Sequence, residues 1–248
     1  MSSITIGLIV LACVFGGALL GIFLHAVLPQ HHLSSETKDI VKLGMGLVGT
    51  MAALVLGLLV ASAKGSYDAQ SAELTQMSAN AALLDRALAL YGPETKETRA
   101  LLRGAVVRFV DQMWSKDASS RLAPPSGGEI LYEKVQGLSP KNDIQRSLQS
   151  QALSVVVDIG KTRLLMYEQA TTAVSTPLLV VLVLWLTVIF ISFGLYAPFN
   201  ATAVGSLFLA ALSVSGAIFL ILEMYSPYTG VVQISDAPLR ALIANLGQ

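Results

Sequence analysis

IVKLGMGLVGTMAALVLGLLVASA, residues 40–63, is apolar or small at nearly every position and carries one charge, Lys42. A helix rising 1.5 Å per residue needs ~20 such residues to cross a ~30 Å hydrocarbon layer, so this stretch is long enough to span a bilayer. Three more runs have the same character, at residues 4–28, 177–198 and 201–224. Two lie at the start of the chain and two near its end, with a charged segment between. The pattern is that of an integral membrane protein.

Composition agrees: 54% of residues are hydrophobic and 13% charged, and mean hydropathy is +0.65. The 16 basic and 16 acidic residues cancel, which argues against a nucleic-acid partner. Membrane lipid is the first partner to expect. The single cysteine, Cys13, sits inside the first run, so neither an intramolecular disulfide nor a cysteine metal site is expected. His25, His31 and His32 lie at or just past the end of that run. Adjacent His31 and His32 cannot share a helix face, and a hydrated loop suits them better than a ligand pair. No Lys or Arg precedes the first run and it is longer than a signal-peptide core, so it reads as a retained crossing.

Topology follows from charge beside the crossings. Four crossings put both termini and residues 64–176 on one side, and residues 29–39 with the turn at Phe199–Asn200 on the other. Lys64, Lys161, Arg163 and Arg240 outweigh Lys38 and Lys42, so the termini side is expected in the cytoplasm, across a bacterial inner membrane.

The middle segment reads as helix. Leu74, Met77, Ala81, Leu84, Leu88 and Tyr91 follow one another at alternating steps of three and four, an apolar seam on a helix that continues from the second crossing. Gly92–Pro93 ends it. A second amphipathic helix runs through Leu102, Val106, Phe109 and Met113, and stops before an extended linker at residues 123–128. A short helix near residues 130–135 and a longer one from Pro140, with Ile144, Leu148, Ala152, Val155 and Ile159 inward, lead back to the membrane. The expected fold is all-α: four transmembrane helices with a helical cytosolic domain inserted between the second and third. The expected divisions are residues 1–63, the first two crossings; 64–176, the cytosolic domain; 177–225, the last two crossings; and 226–248, a tail with a short amphipathic helix.

The second crossing carries the candidate site. Gly49, Ala53, Gly57 and Ala61 recur every four residues, with Gly46 and Thr50 on a neighbouring strip. Small-residue ladders commonly mark close helix packing, as does Gly17 with Gly21 in the first crossing. The functional reading is that Gly46, Thr50, Ala53, Gly57, Ala61 and Ser62 line a path along a symmetry axis, with Lys64 closing it. Tyr67, Asp68 and Glu223 stand as candidates for its cytosolic mouth, where the bland alternative for Lys64 and Glu223 is snorkelling to the interface. Tyr67, Tyr225 and Tyr228 are placed in the aromatic belt.

The segment shows no catalytic motif, and no enzyme activity, cofactor or metal is expected. Asp85 beside Arg86, and Glu94 and Glu97 before Arg99, read as solvated faces and local i,i+4 pairs.

Gly57 through Lys64 followed by Ser66-Tyr67-Asp68 resembles the end of the second crossing in the bestrophin-like membrane proteins. Leu84-Asp85-Arg86, Tyr91-Gly92-Pro93-Glu94, Arg99 and the tail Glu223-Met224-Tyr225-Ser226-Pro227-Tyr228-Thr229-Gly230 resemble that group too, over nearly the whole chain. Bestrophins are pentameric chloride channels with four crossings per subunit, cytosolic termini and a helical cytosolic domain. The resemblance implies a homo-oligomer, a pentamer by analogy, that passes inorganic ions, with anions favoured. Two features depart from bestrophins. No phenylalanine occurs in residues 40–63, where Met45 and Met51 are the bulkiest flexible side chains, and Asp236 stands alone where a calcium clasp would need several acids. The alternative is a membrane-anchored scaffold or sensor whose cytosolic helices bind a partner protein.

Overall fold

The computed structural model describes residues 2–29, 34–115, 128–171 and 176–246, and among them there is helix and no strand. His31, His32 and most of the linker at residues 123–128 lie outside the described residues. The helices are α1 (Ser3–Val27), α2 (Ser35–Tyr91), α3 (Lys96–Met113), α4 (Gly128–Gln136), α5 (Asp143–Thr171), α6 (Thr176–Tyr196), α7 (Ala201–Met224) and α8 (Ala237–Asn245), with a 3-10 turn at Pro93–Thr95. Four of them, α1, α2, α6 and α7, are long and apolar enough to cross a membrane. The chain divides into two compact units, one of Met1–Ser66 with Ala173–Tyr225 and one of Tyr67–Thr172 with Ser226–Gln248.

Side chains at the helix starts explain where the helices begin. Ser2 accepts a hydrogen bond from the Thr5 amide, Ser34 from Thr37 and Asn200 from Ala203, each satisfying an amide that the first turn leaves without a partner. Asn142 does the same for Gln145, so α5 starts there rather than at Pro140. Nothing interrupts α2 over 57 residues, about 85 Å at 1.5 Å per residue.

In the first unit α1 packs against α6 and α7. Glycine sets the distance. A Cβ at Gly17 would lie 3.0 Å from the Thr187 carbonyl oxygen, while one at Gly21 or Gly194 would overlap the facing backbone at Ile191 or Ala18. The Gly17–Gly21 pair is therefore a helix contact, as its spacing suggested. Ser215 donates a buried 2.7 Å hydrogen bond to the Gly7 carbonyl, and Val14, Ala18, Leu182 and Ile218 fill the core.

In the second unit the whole seam Leu74, Met77, Ala81, Leu84, Leu88 and Tyr91 is buried, against Leu102, Val106, Phe109 and Met113 of α3 and against Leu131, Val135, Ala152 and Leu239. One inward position of α5 is corrected. Ile144 is 73% exposed, while Leu148, Ala152, Val155 and Ile159 pack inward as expected, together with Val156 and Met166. The reason is α4's shortness: Gln149 donates to the carbonyls of Val135, Gln136 and Leu138 at its C-terminal end, so the turn that carries Ile144 extends past its partner.

Candidate functional site

Helix α2 has two opposite faces. Ala52, Leu59 and Ala63 are its buried residues among positions 35–66. At 100° per residue, Gly46, Thr50, Ala53, Gly57, Ala61 and Lys64 form a strip about 100–180° around the helix from them, and all six are exposed. A Cβ built at Gly46, Gly49 or Gly57 meets nothing within 4 Å. Among the described residues none comes within close-packing distance of these glycines, unlike Gly17 and Gly21. Leu43, Leu47, Leu54 and Leu58 flank it, also exposed.

The candidate residues do not all share that face. Thr50 lies on it, but its hydroxyl donates to the Leu47 carbonyl at 2.7 Å. Ser62 is turned about 100° away from Ala61, and its hydroxyl lies 3.0 Å from that of Tyr225 in the first unit. Lys64 and Asp68 are exposed and continue the strip. Glu223 does not snorkel: it is 3% exposed. The tyrosines also part company. Tyr67 donates to the Gln233 carbonyl at 3.3 Å, and Tyr228 is buried edge-on against Trp114 with ring centroids 5.4 Å apart. Tyr228 belongs to the second unit's core and Tyr67 packs against it.

Within the second unit, α2 also exposes Ala72, Thr75, Ala79, Ala82, Arg86 and Ala89, each three or four residues from the last.

The residues around Gly92 form a clasp. Gly92 has φ 137°, a left-handed backbone region where a side chain is strained. Asp85 and Arg99 stand about two turns before and after it, which brings them face to face. Arg99 donates through Nε and Nη2 to the two Asp85 oxygens at 2.8 and 2.9 Å, and the pair is mostly shielded, with side chains 18% and 13% exposed. The Asp85 carboxylate raises the arginine pKa further. Thr95 donates to the Leu88 carbonyl at 2.6 Å, Gln145 donates to the Tyr91 carbonyl at 2.9 Å, and Lys141 pairs with Glu94 at 2.7 Å. Lys134 reaches Glu97 at 3.0 Å. The expectation of local pairs is thus corrected: Asp85 meets Arg99 because the chain doubles back at Gly92, and Glu94 and Glu97 pair with Lys141 and Lys134, which lie far along the chain.

The second unit also holds a cavity of about 520 Å³, lined by Leu102, Phe109, Leu131, Val156 and Arg163 among others. The Arg163 guanidinium sits 5.7 Å from the Phe109 ring, and burial together with neighbouring Arg108 lowers its pKa. Nearby, the tail is held by Trp114, whose indole N–H donates to the Ile234 carbonyl at 3.1 Å.

The bestrophin-like domain matches residues 12–239, nearly the whole chain. The chain belongs to the bestrophin-like family. No curated protein and no solved structure matches it. Within this bestrophin-like chain the quoted motifs now have physical roles: the Leu-Asp-Arg, Tyr-Gly-Pro-Glu and Arg99 segments build the clasp, and the tail motif supplies Tyr225 to one unit and Tyr228 to the other.

Tyr228 supplies a pH prediction. Burial, and secondarily the Glu73 charge, raise its pKa above the ordinary 10.0, and its hydroxyl has no hydrogen-bond partner among the described residues. The folded state favours the neutral phenol, so the linked stability is complete below pH 10 and falls as pH rises above it, where the unfolded chain ionises first. The slope is at most about 1.4 kcal/mol per pH unit. Tyr228→Phe is expected to match the parent at pH 8 and to lose less stability by pH 11, read from thermal unfolding of the helical signal. Parallel losses in the two proteins would show that Tyr228 ionises freely in the fold.

Proposed function

We propose that this chain is a subunit of an oligomeric ion channel, a pentamer by analogy with bestrophins, with α2 along the axis and anions favoured among the inorganic ions it passes. The observation that carries the reading is the exposed strip from Gly46 to Lys64. Glycine, alanine, threonine and a lysine make a suitable wall for a hydrated path, while the flanking leucines suit neighbouring copies. Lys64 would concentrate anions at the mouth through its field.

The test is reconstitution in a planar bilayer under asymmetric KCl. Lys64→Glu is expected to move the reversal potential toward cation preference, and the shift should shrink as salt rises, since the field is screened over ~8 Å at physiological ionic strength. An unmoved reversal potential removes Lys64 from selectivity. The second reading, a membrane-anchored scaffold or sensor, is favoured by exposed Ile130, Tyr132, Leu164 and Leu165 on the second unit. Absence of current at both polarities, with and without calcium, or a monomer by light scattering in mild detergent, would favour that reading.

The same reading places residues 1–63 and 177–225 in a bacterial inner membrane, and residues 64–176 with the tail at 226–248 in the cytoplasm. In a Cys13→Ser background, an impermeant thiol reagent added to intact cells is expected to label Ser34→Cys and spare Ser147→Cys. The reverse pattern would invert the orientation.

A further inference from the structure

We propose that a cleft between the first turns of α2 and the last turns of α6 holds one anionic phospholipid, its phosphate against Lys38 and Lys42 and an acyl chain along the wall beyond them. The cleft encloses about 530 Å³, within the range of specific small-molecule sites. Its polarity is ordered. On α2, Lys38 and Lys42 come first, and Gly46 and Gly49 follow one and two turns further into the helix. On α6, Tyr196 stands at the same end, with Phe193, Ser192 and Ile189 following inward. The α2 wall thus passes from cationic to apolar in one direction, and α6 adds the Tyr196 ring at the cationic end and Phe193 and Ile189 further in, the order found along a phospholipid from headgroup to chain.

The glycines make the apolar half roomy. A Cβ at Gly46 or Gly49 would meet nothing, so the α2 wall is smooth where a chain would lie. The cationic end is held in place: Lys38 Nζ lies 5.6 Å from the Tyr196 ring centroid, an attraction that keeps the ammonium at the cleft while leaving its N–H groups to an anion. Lys42 pairs at 3.8 Å with Asp39, an exposed contact of small energy. Asp39 and Glu36 do not line the cleft. The positive end of the α2 dipole adds to the same potential. Basic pockets between crossing helices are suited to anionic headgroups, and the two-part lining distinguishes a lipid from free phosphate, which needs only the cationic end. Gly46 is common to this cleft and to the proposed path, while Lys38, Lys42 and the α6 residues belong to the cleft alone, so lipid binding is tested without reference to ion conduction.

Native mass spectrometry of the full chain in mild detergent, titrated with phosphatidylglycerol or phosphatidylcholine of identical chains, tests it. The parent is expected to retain phosphatidylglycerol about tenfold more tightly. Lys38→Gln/Lys42→Gln should abolish that preference while leaving phosphatidylcholine binding unchanged, and Gly49→Leu should weaken both lipids by filling the wall. Lys161→Gln, which removes an exposed charge from the second unit, should preserve the preference. Equal affinity for the two lipids in the parent, a preference that survives the double lysine variant, or one lost equally in Lys161→Gln would overturn the proposal. So would full displacement of phosphatidylglycerol by millimolar inorganic phosphate, which would assign the site to a free anion.

Discussion

Leucine at Gly194 is expected to abolish the folded first unit, whereas leucine at Gly57, one glycine for another in an equally apolar helix, is expected to leave it intact. The difference lies in what each glycine faces. Gly194 rests against the Ala18 backbone, and a Cβ there overlaps its carbonyl group; backbone in a packed helix cannot swing aside as a side chain can. The only relief is to part α1 from α6, which exposes the contact around Ala18 and Leu182 at a cost of about 3 kcal/mol or more. Gly57 faces open space. Its substitution should leave the thermal midpoint of the purified chain within about 2 °C of the parent, while narrowing the proposed path and reducing single-channel current severalfold. Size-exclusion profiles, midpoints and bilayer currents read the three effects apart. A well-folded Gly194→Leu protein would sink the packing argument, and undiminished current in Gly57→Leu would sink the assignment of the strip to the axis.

Asp85→Ala should destabilise the second unit by roughly 2–4 kcal/mol, because it strands a mostly shielded guanidinium that made two charge-assisted hydrogen bonds. Arg99→Ala should cost a similar amount. The double variant is expected to be less damaged than the sum of the single ones, since no stranded charge remains, and the coupling measures the pair. Denaturation of the full chain gives the three midpoints. Strict additivity would mean that the two residues act separately. Lysine at position 99 should restore only part of the loss, as a point charge cannot reproduce the two-pronged contact.

Much of the architecture was legible because it depends on period. The four crossings, the seam from Leu74 to Tyr91 and the inward face of α3 are consequences of which residues avoid water, and a helix repeats that choice every three or four positions. The Gly92–Pro93 break was equally local. Ile144 shows the limit: it has the right spacing to face inward, yet α4 ends too soon to cover it.

The site was legible by half. Gly46, Thr50, Ala53, Gly57, Ala61 and Lys64 share a face by arithmetic alone, but Ser62 was assigned to that face by chemistry and points instead to Tyr225. Glu223, an acid at a helix end, reads as a snorkelling residue, and only the folded chain shows it buried.

Sequence alone thus determined what each helix is and which of its sides avoids water, because those properties are set by neighbours within a few residues. Tertiary structure decided which glycines are contacts and which are openings, and whether Asp85 bonds Arg86 or Arg99. Those outcomes depend on what another segment brings within a few ångströms, and a helix's own spacing is the same whether its small-residue face meets a backbone, as at Gly21, or nothing, as at Gly57.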